Sequence, residues 1–340
     1  MNDVISEGIK FIIEKTDNPF MGKNVLITGG AGFLGSWLCD VLVNKNANVI
    51  CIDNFYSGKK ENIKHLFSKP NFKFIKHDIS KEIYFDEKLD YIFHLASRAS
   101  PFEFSNYPIQ ILKANTLGTW VVLGIAKKHD AELIYASTSE VYGDPDPKYV
   151  PTPETYNGNV NLNGIRACYD EAKRAGEAFV NAYRRQHNLR TRIVRIFNTY
   201  GPRIRSGTLY GRVIPNFINQ ALQNRPITVF GDGSQTRSFT YVCDLLTGIL
   251  KFATNENAIG EVINIGNTNE ISILELAKLI KKIINSDSEI TFKPLPPDDP
   301  KRRCPDISKA KRLLNWEPMI KLEDGLKYTI EWFEKINDDE

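Results

Sequence analysis

Apolar residues in this chain fall into short β-type runs, separated by stretches where they recur every three or four positions. The runs are Asn24–Thr28, Asn48–Ile52, Phe72–Ile75, Tyr91–Ala96, Leu133–Ala136 and Val262–Ile265. Between them, Trp37, Leu38, Val41 and Leu42, the region from Ile109 to His129, the segment opening at Cys168, Leu245–Phe252 and Ile271–Ile284 carry helical spacing. Strands alternating with helices predict an α/β fold, a doubly wound parallel sheet with crossover helices on both faces. Ligands of such sheets lie at the carboxyl ends of the strands, so the residues just after each run are the ones to watch. Ahead of the first strand, Ile5, Ile9, Ile12 and Ile13 predict a short amphipathic helix, either a packing cap or a contact between subunits. Pro226 opens an extended segment, Pro294–Pro297 forms a stiff connector, and the acidic end Asn337–Glu340 is expected to fray.

Composition narrows the class. A 340-residue chain, 42% hydrophobic and 25% charged, is expected to be globular and large enough for two domains or one elaborated one. A net charge of +3 is too small for a nucleic-acid-binding surface. Cys39, Cys51, Cys168, Cys243 and Cys304 are scattered without a CxxC pair, which argues against a disulfide framework or metal site and for a reducing cytoplasm. No apolar run is expected to approach the length of a membrane span and no signal-peptide core is evident, so no membrane partner is expected.

Candidate chemistry starts where the first run ends. Gly29, Gly32 and Gly35 lie three apart, directly before the first helical pattern. Residues without a Cβ let the backbone approach a pyrophosphate, and the helix N-terminus then faces the anion. The second run ends in Asp53, about 20 residues on, where a carboxylate grips the ribose hydroxyls of a dinucleotide. Asp78, after the third run, is placed to bond an adenine amino group, while Lys59 and Lys60 either meet phosphate or face solvent. The fifth run ends in Ser137-Thr138-Ser139-Glu140. Further on, Tyr169 and Lys173 lie four apart, on one face of a helix. An ammonium beside a phenol lowers its pKa from about 10 towards neutrality, which suits a base that deprotonates a substrate hydroxyl as hydride leaves the same carbon.

Thr28-Gly29-Gly30-Ala31-Gly32-Phe33-Leu34-Gly35 together with Tyr169 and Lys173 resembles the extended short-chain dehydrogenase/reductases that act on nucleotide sugars. Within that group, Ser137–Pro145, Arg166–Glu171, Arg195–Arg203, Gly231–Phe239 and Arg303–Ile307 look most like the UDP-glucuronate decarboxylases. The resemblance implies a Rossmann fold at 23–197 binding NAD, with segments near 238–266 returning to it. It implies a smaller, interleaved α/β domain at 198–340 for the UDP-sugar, and a helical extension at 1–22. Catalysis would fall to Thr138, Glu140, Tyr169, Lys173 and Arg303. NAD would be held by Gly29, Gly32, Phe33, Leu34, Asp53, Asn54, Ser57, Gly58, Asp78, Ile79, Leu95, Ala96 and Asn115, with Tyr169 and Lys173. The UDP-sugar would meet Pro101, Ser139, Glu140, Asn198, Arg212, Thr228, Phe230, Gln235, Arg237 and Arg303. Arg303 would hold the sugar carboxylate as a bidentate pair. Glu140 would bond a sugar hydroxyl, perturb the carboxylate by like charge, or manage a proton. A homodimer joined by the helices around 112–128 and 169–186 is implied as well.

The chain departs from that pattern in places. Ser97-Arg98 follows His94-Leu95-Ala96 where the decarboxylases usually carry Cys-Pro, and Asn157–Gly164 and Ile204–Tyr210 also differ. A 4-epimerase would use the same Tyr169/Lys173 oxidation, but usually has a small or hydroxylated residue in place of Glu140. A 4,6-dehydratase would carry an acid where Ser139 stands. Intact Thr138, Tyr169 and Lys173 argue against a non-catalytic binding protein.

Overall fold

The computed structural model describes residues 3–206, 212–295 and 299–338. Parts of the 204–210 loop, of the proline connector and of the acidic end lie outside them.

Six strands, β1 (Asn24–Thr28), β2 (Asn48–Asp53), β3 (Phe72–Lys76), β4 (Tyr91–His94), β5 (Glu132–Thr138) and β6 (Thr191–Ile196), join Val262–Ile265 in one parallel sheet. Its spatial order is β3-β2-β1-β4-β5-β6-(Val262–Ile265). Strand order reverses between β1 and β4, where Thr28 lies opposite Ile52 on one side and His94 on the other. This is the crevice in which doubly wound sheets bind ligands. The β1 side chains alternate between faces: Val25 and Ile27 join the core beneath α2 (Phe33–Asn44), while Leu26 packs with Val122 and Leu123 from the opposite layer. Fully apolar strands of this kind are what a sheet buried on both faces requires.

The predicted N-terminal helix spans Asp3–Glu14 and turns Val4, Ile5, Ile9 and Ile12 inward. Gly8 permits the contact, since a Cβ there would lie 2.8 Å from the Trp37 ring and 2.9 Å from Cys243 Sγ. Beyond its last turn, the buried Lys45 ammonium donates to the carbonyls of Thr16 (2.9 Å) and Asp17 (3.0 Å). The helix therefore spends its apolar face on the chain's own core.

Two sequence expectations need correction. The region from Ile109 to His129 is not one helix: Pro108–Asn115 and Leu117–His129 meet at Thr116, after a separate turn of helix over Pro101–Asn106. Taken end to end, Pro108–His129 is long and apolar enough to cross a membrane by length and composition, with 44% of its most apolar window buried. Core helices pass the same test, and this one packs Val122, Leu123, Ile125 and Ala126 against the sheet. The predicted helix start at Ile271 is displaced because Glu270–Ser272 is a strand, and Ser272 then caps Ile273–Ile284 in a reciprocal pair with Glu275.

Smaller arrays stand over the carboxyl ends of the main sheet. Ile227–Phe230 pairs with Ile290–Lys293. Thr236–Ser238 pairs with Glu270–Ser272 on one side and Arg302–Arg303 on the other, setting Arg303 opposite Arg237.

Candidate active site

A cavity of about 1350 Å³ runs along the carboxyl ends of the strands, from the glycine turn to the smaller arrays. Gly29, with φ at +71°, turns the chain out of β1, and a Cβ on Gly35 would lie 2.2 Å from the Gly29 carbonyl oxygen. Only glycine lets α2 start this close to the turn. Gly32 caps α2 with no side chain bonded over the helix start, and Phe33 and Leu34 follow on the cavity wall. Asp53 accepts from the backbone N–H of Ala31 (3.0 Å) and of Phe55 (2.8 Å), so the β2 carboxylate is tied to the turn itself. Burial raises its pKa, against the pull of those bonds. Asn54 accepts from Tyr56 N–H (3.0 Å), shaping the loop that carries Ser57. Asp78, Ile79, Leu95 and Ala96 complete this half of the wall. The arrangement fits a dinucleotide: a cradle that any Cβ would fill, a helix N-terminus behind it, and a fixed carboxylate one strand away.

Gly58 and Asn115 do not line the cavity. Gly58 abuts Asp53 and Ala31, where a Cβ would come within 2.9 Å, and so acts behind the wall. Asn115 is buried in the helix junction, donating to the Ile111 carbonyl (2.9 Å), with Oδ1 lacking a protein partner. Pro101 opens the Pro101–Asn106 helix, and its side chain lies outside the described residues. Lys59 lines the cavity, whereas Lys60 is exposed beside the Phe67 ring.

The reactive groups sit where β5 ends. Thr138, Ser139, Tyr169 and Lys173 are all buried, the last two on the Ala167–His187 helix. The Tyr169 ring stacks on Phe104 (5.1 Å between centroids, 17° between planes), which fixes the phenol laterally. Lys173 Nζ donates to the Ala136 carbonyl (2.7 Å), bracing the helix against β5. The expected lowering of the phenol is outweighed by burial. Burial pushes Tyr169 up to about 12, against the lowering effect of its hydrogen bond with Thr138. Burial likewise pushes Lys173 down to about 7, with the Glu177 carboxylate opposing. The i, i+4 spacing puts both groups on one face of the helix, but spacing alone does not report how deeply each is buried. His94, held near 3 by burial and then by the Lys173 charge, is a neutral ring between the hydroxyls of Thr28 (2.7 Å) and Thr119 (3.2 Å).

Glu140 is gripped by two arginines, Arg166 and Arg303. Arg303 also donates to Ser139 Oγ (3.4 Å) and the Gly143 carbonyl (3.1 Å), and burial brings it down to about 10. Although its neighbours Lys301 and Arg302 are exposed, Arg303 is buried, because the short strand Arg302–Arg303 turns it inward. Arg166 was not singled out from sequence, although it opens the string that holds Tyr169 and lies four residues before Asp170, its second partner (3.9 Å). At the far end, Asn198, Arg212, Thr228, Phe230, Gln235 and Arg237 line the same cavity. Gln235 donates to the Phe230 carbonyl (2.8 Å), and Arg237 pairs with Asp299 (2.9 Å). Phe230 is therefore a wall residue rather than plain core.

Residues 25–266 match the model of the NAD dependent epimerase/dehydratase family. The chain belongs to that family. Among its relatives, UDP-glucuronic acid decarboxylase 1 of Danio rerio is 48% identical over 96% of this chain and 75% of that protein. UDP-glucuronic acid decarboxylase 1 of Arabidopsis thaliana is 47% identical over 93% and 71%. Solved family structures superpose throughout. The UDP-glucose 4-epimerase of Thermotoga maritima with UDP-glucose has a TM-score of 0.85 at 33% identity, covering 92% of this chain and 99% of that one. The UDP-glucuronic acid 4-epimerase of Bacillus cereus, in complex with UDP-glucuronic acid and NAD, has a TM-score of 0.81 at 30% identity, with the same coverage. NAD is thus the cofactor of this family fold, and the glycine cradle with Asp53 is where this family member would hold it.

Proposed function

We propose that the protein converts UDP-glucuronate to UDP-xylose and CO2 through a 4-keto sugar. Tyr169 takes the proton of the hydroxyl on sugar carbon 4, and Thr138 shares that hydrogen bond. Lys173, one helical turn from Tyr169, supplies positive charge as the phenolate forms. The 4-ketone lies β to the carboxylate on carbon 5, so the carbon–carboxylate bond breaks with its electrons delocalised into an enolate. Carbon 5 then takes up a proton, and carbon 4 is reduced again while Tyr169 returns its proton. When bound, NAD+ supplies the hydride acceptor at carbon 4 and gives the hydride back after CO2 has left, so it is not consumed. Arg303 and Arg166 provide the positive charge that a sugar carboxylate needs, and Glu140 sits between them.

The observation that carries this reading is the convergence of Glu140 and Arg303 beside Thr138 and Tyr169 from positions 163 residues apart. The named decarboxylases, at 47–48% identity, agree with it. Incubating the purified protein with UDP-glucuronate, without added NAD+, and following products by NMR tests it. UDP-xylose with CO2 is expected. UDP-galacturonate would instead favour the second reading, a 4-epimerase, which the structural likeness to the Bacillus cereus and Thermotoga maritima enzymes keeps in play. The protein is further proposed to be a homodimer working in the cytoplasm. Exposed Ile109, Leu112, Leu117 and Trp120, with Ile165 and Phe179 from and beside the Ala167–His187 helix, offer an apolar surface for a four-helix contact.

A further inference from the structure

Arg98 is where this chain departs from the decarboxylase pattern, and its surroundings are unusual. The side chain is 9% exposed, and its Nη1 is fully buried with no hydrogen-bond partner. It makes no ion pair among the described residues, whereas Arg166, Arg203, Arg237 and Arg303 on the same cavity wall all hold a carboxylate. Its guanidinium lies on the face of the Tyr56 ring and 4.8 Å from the centroid of Tyr107, and those two rings meet edge-on at 5.4 Å. A buried, planar cation held between two aromatic rings with an unsatisfied donor is built to receive an anion.

The fold says which anion. Arg98 follows Leu95–Ala96, and Ala96 backs directly onto the glycine turn: a Cβ on Gly29 would come 2.8 Å from Ala96 N and Cα. Tyr56 belongs to the loop after β2, which is stitched to the same turn by Lys59 N–H donating to the Ala31 carbonyl (3.0 Å). The clasp therefore approaches the turn from both sides. The turn itself offers backbone N–H groups, and among the described residues the charged side chain bonded to it, Asp53, is negative. A doubly charged diphosphate at a helix N-terminus lacks a buried counter-ion there. We propose that Arg98, held flat by Tyr56 and Tyr107, is the counter-ion of the dinucleotide's diphosphate and slows cofactor release. This rests on NAD being the resident cofactor, not on the decarboxylase reading.

The UDP-sugar also carries a diphosphate, so the experiment separates the two sources. NAD+ release from purified holoenzyme is followed with an NAD+-consuming coupled assay at rising salt, for wild type, Arg98→Gln and Arg98→Lys. UDP binding to the same holoenzymes is measured by calorimetry. Removing a charge-assisted bond should speed NAD+ release from Arg98→Gln about ten- to hundredfold. The salt dependence of release should weaken in that variant, Arg98→Lys should fall between, and UDP affinity should stay within about twofold of wild type. Should Arg98→Gln fail to fold, the Arg98→Lys comparison carries the test, since it keeps the charge and loses the flat stacking. Unchanged NAD+ release in a folded variant, or a loss confined to UDP affinity, overturns the proposal. Neither result depends on whether the enzyme decarboxylates or epimerises.

Discussion

Replacing Lys173 by Met in the dinucleotide-free protein should raise its stability, although the lysine is expected to be indispensable for turnover. Burial brings Lys173 from 10.5 down to about 7. At pH 7 the unfolded chain therefore keeps a proton that the folded chain has half lost, and the lysine costs about 4 kcal/mol of stability. Met leaves the Ala136 carbonyl without the 2.7 Å ammonium bond, at a cost of about 1–3 kcal/mol. The net gain at pH 7 is about 1–3 kcal/mol. The sign with pH follows from linkage. A cation whose folded pKa is depressed destabilises most below the folded value, and that cost fades as pH rises towards the unfolded value of 10.5. Wild-type stability should therefore climb between pH 7 and 9.5 relative to Lys173→Met, closing the gap by about 3 kcal/mol. Urea unfolding of both proteins, stripped of NAD, at the two pH values reads this directly. A Met variant that is less stable at pH 7, together with a gap that ignores pH, would refute the argument that Lys173 is a desolvated, half-neutral base. Loss of turnover alongside the gain would mark the strain as part of function.

The other predictions address the cradle, the carboxylate site and the assembly. Gly35→Ala puts a methyl 2.2 Å from the Gly29 carbonyl oxygen, so the protein should purify with little NAD, measured by absorbance after gel filtration, and melt several degrees lower. Arg303→Met should cut kcat/KM for UDP-glucuronate about a hundredfold through lost charge-assisted bonds, while UDP affinity by calorimetry stays close to wild type; a fall in both would place Arg303 in the nucleotide pocket instead. For the proposed homodimer, Trp120→Glu, at a residue 51% exposed, should give a monomer in sedimentation experiments without lowering NAD content, and a sedimentation coefficient equal to that of wild type would remove that face from the proposed interface.

What was legible in the sequence is what local chemistry determines. The glycine turn, Asp53 at the end of β2 and the pairing of Tyr169 with Lys173 each follow from spacings of a few residues within or beside one element, and the structure places all of them on one cavity wall. What spacing cannot carry is burial and long-range register. The Tyr169 phenol rises to about 12 because Phe104 and the end of β5 shut out water, and no periodicity reports that. Glu140 meets Arg303 only because a three-stranded array sets Arg303 opposite Arg237, while Arg166 reaches the same carboxylate from the start of a helix. Arg166 and Arg303 share Glu140, and Arg166 also faces Asp170 at 3.9 Å, so two guanidinium groups on the cavity wall are balanced by two carboxylates. A sugar carboxylate entering there would compete with Glu140 for the two guanidinium groups, and the ion pairs that hold the site together would become the ones that receive it. On this account Glu140 keeps Arg166 and Arg303 oriented and compensated until substrate arrives. The residue by which the resemblance sets decarboxylases apart from epimerases thus has a physical task before any chemistry begins.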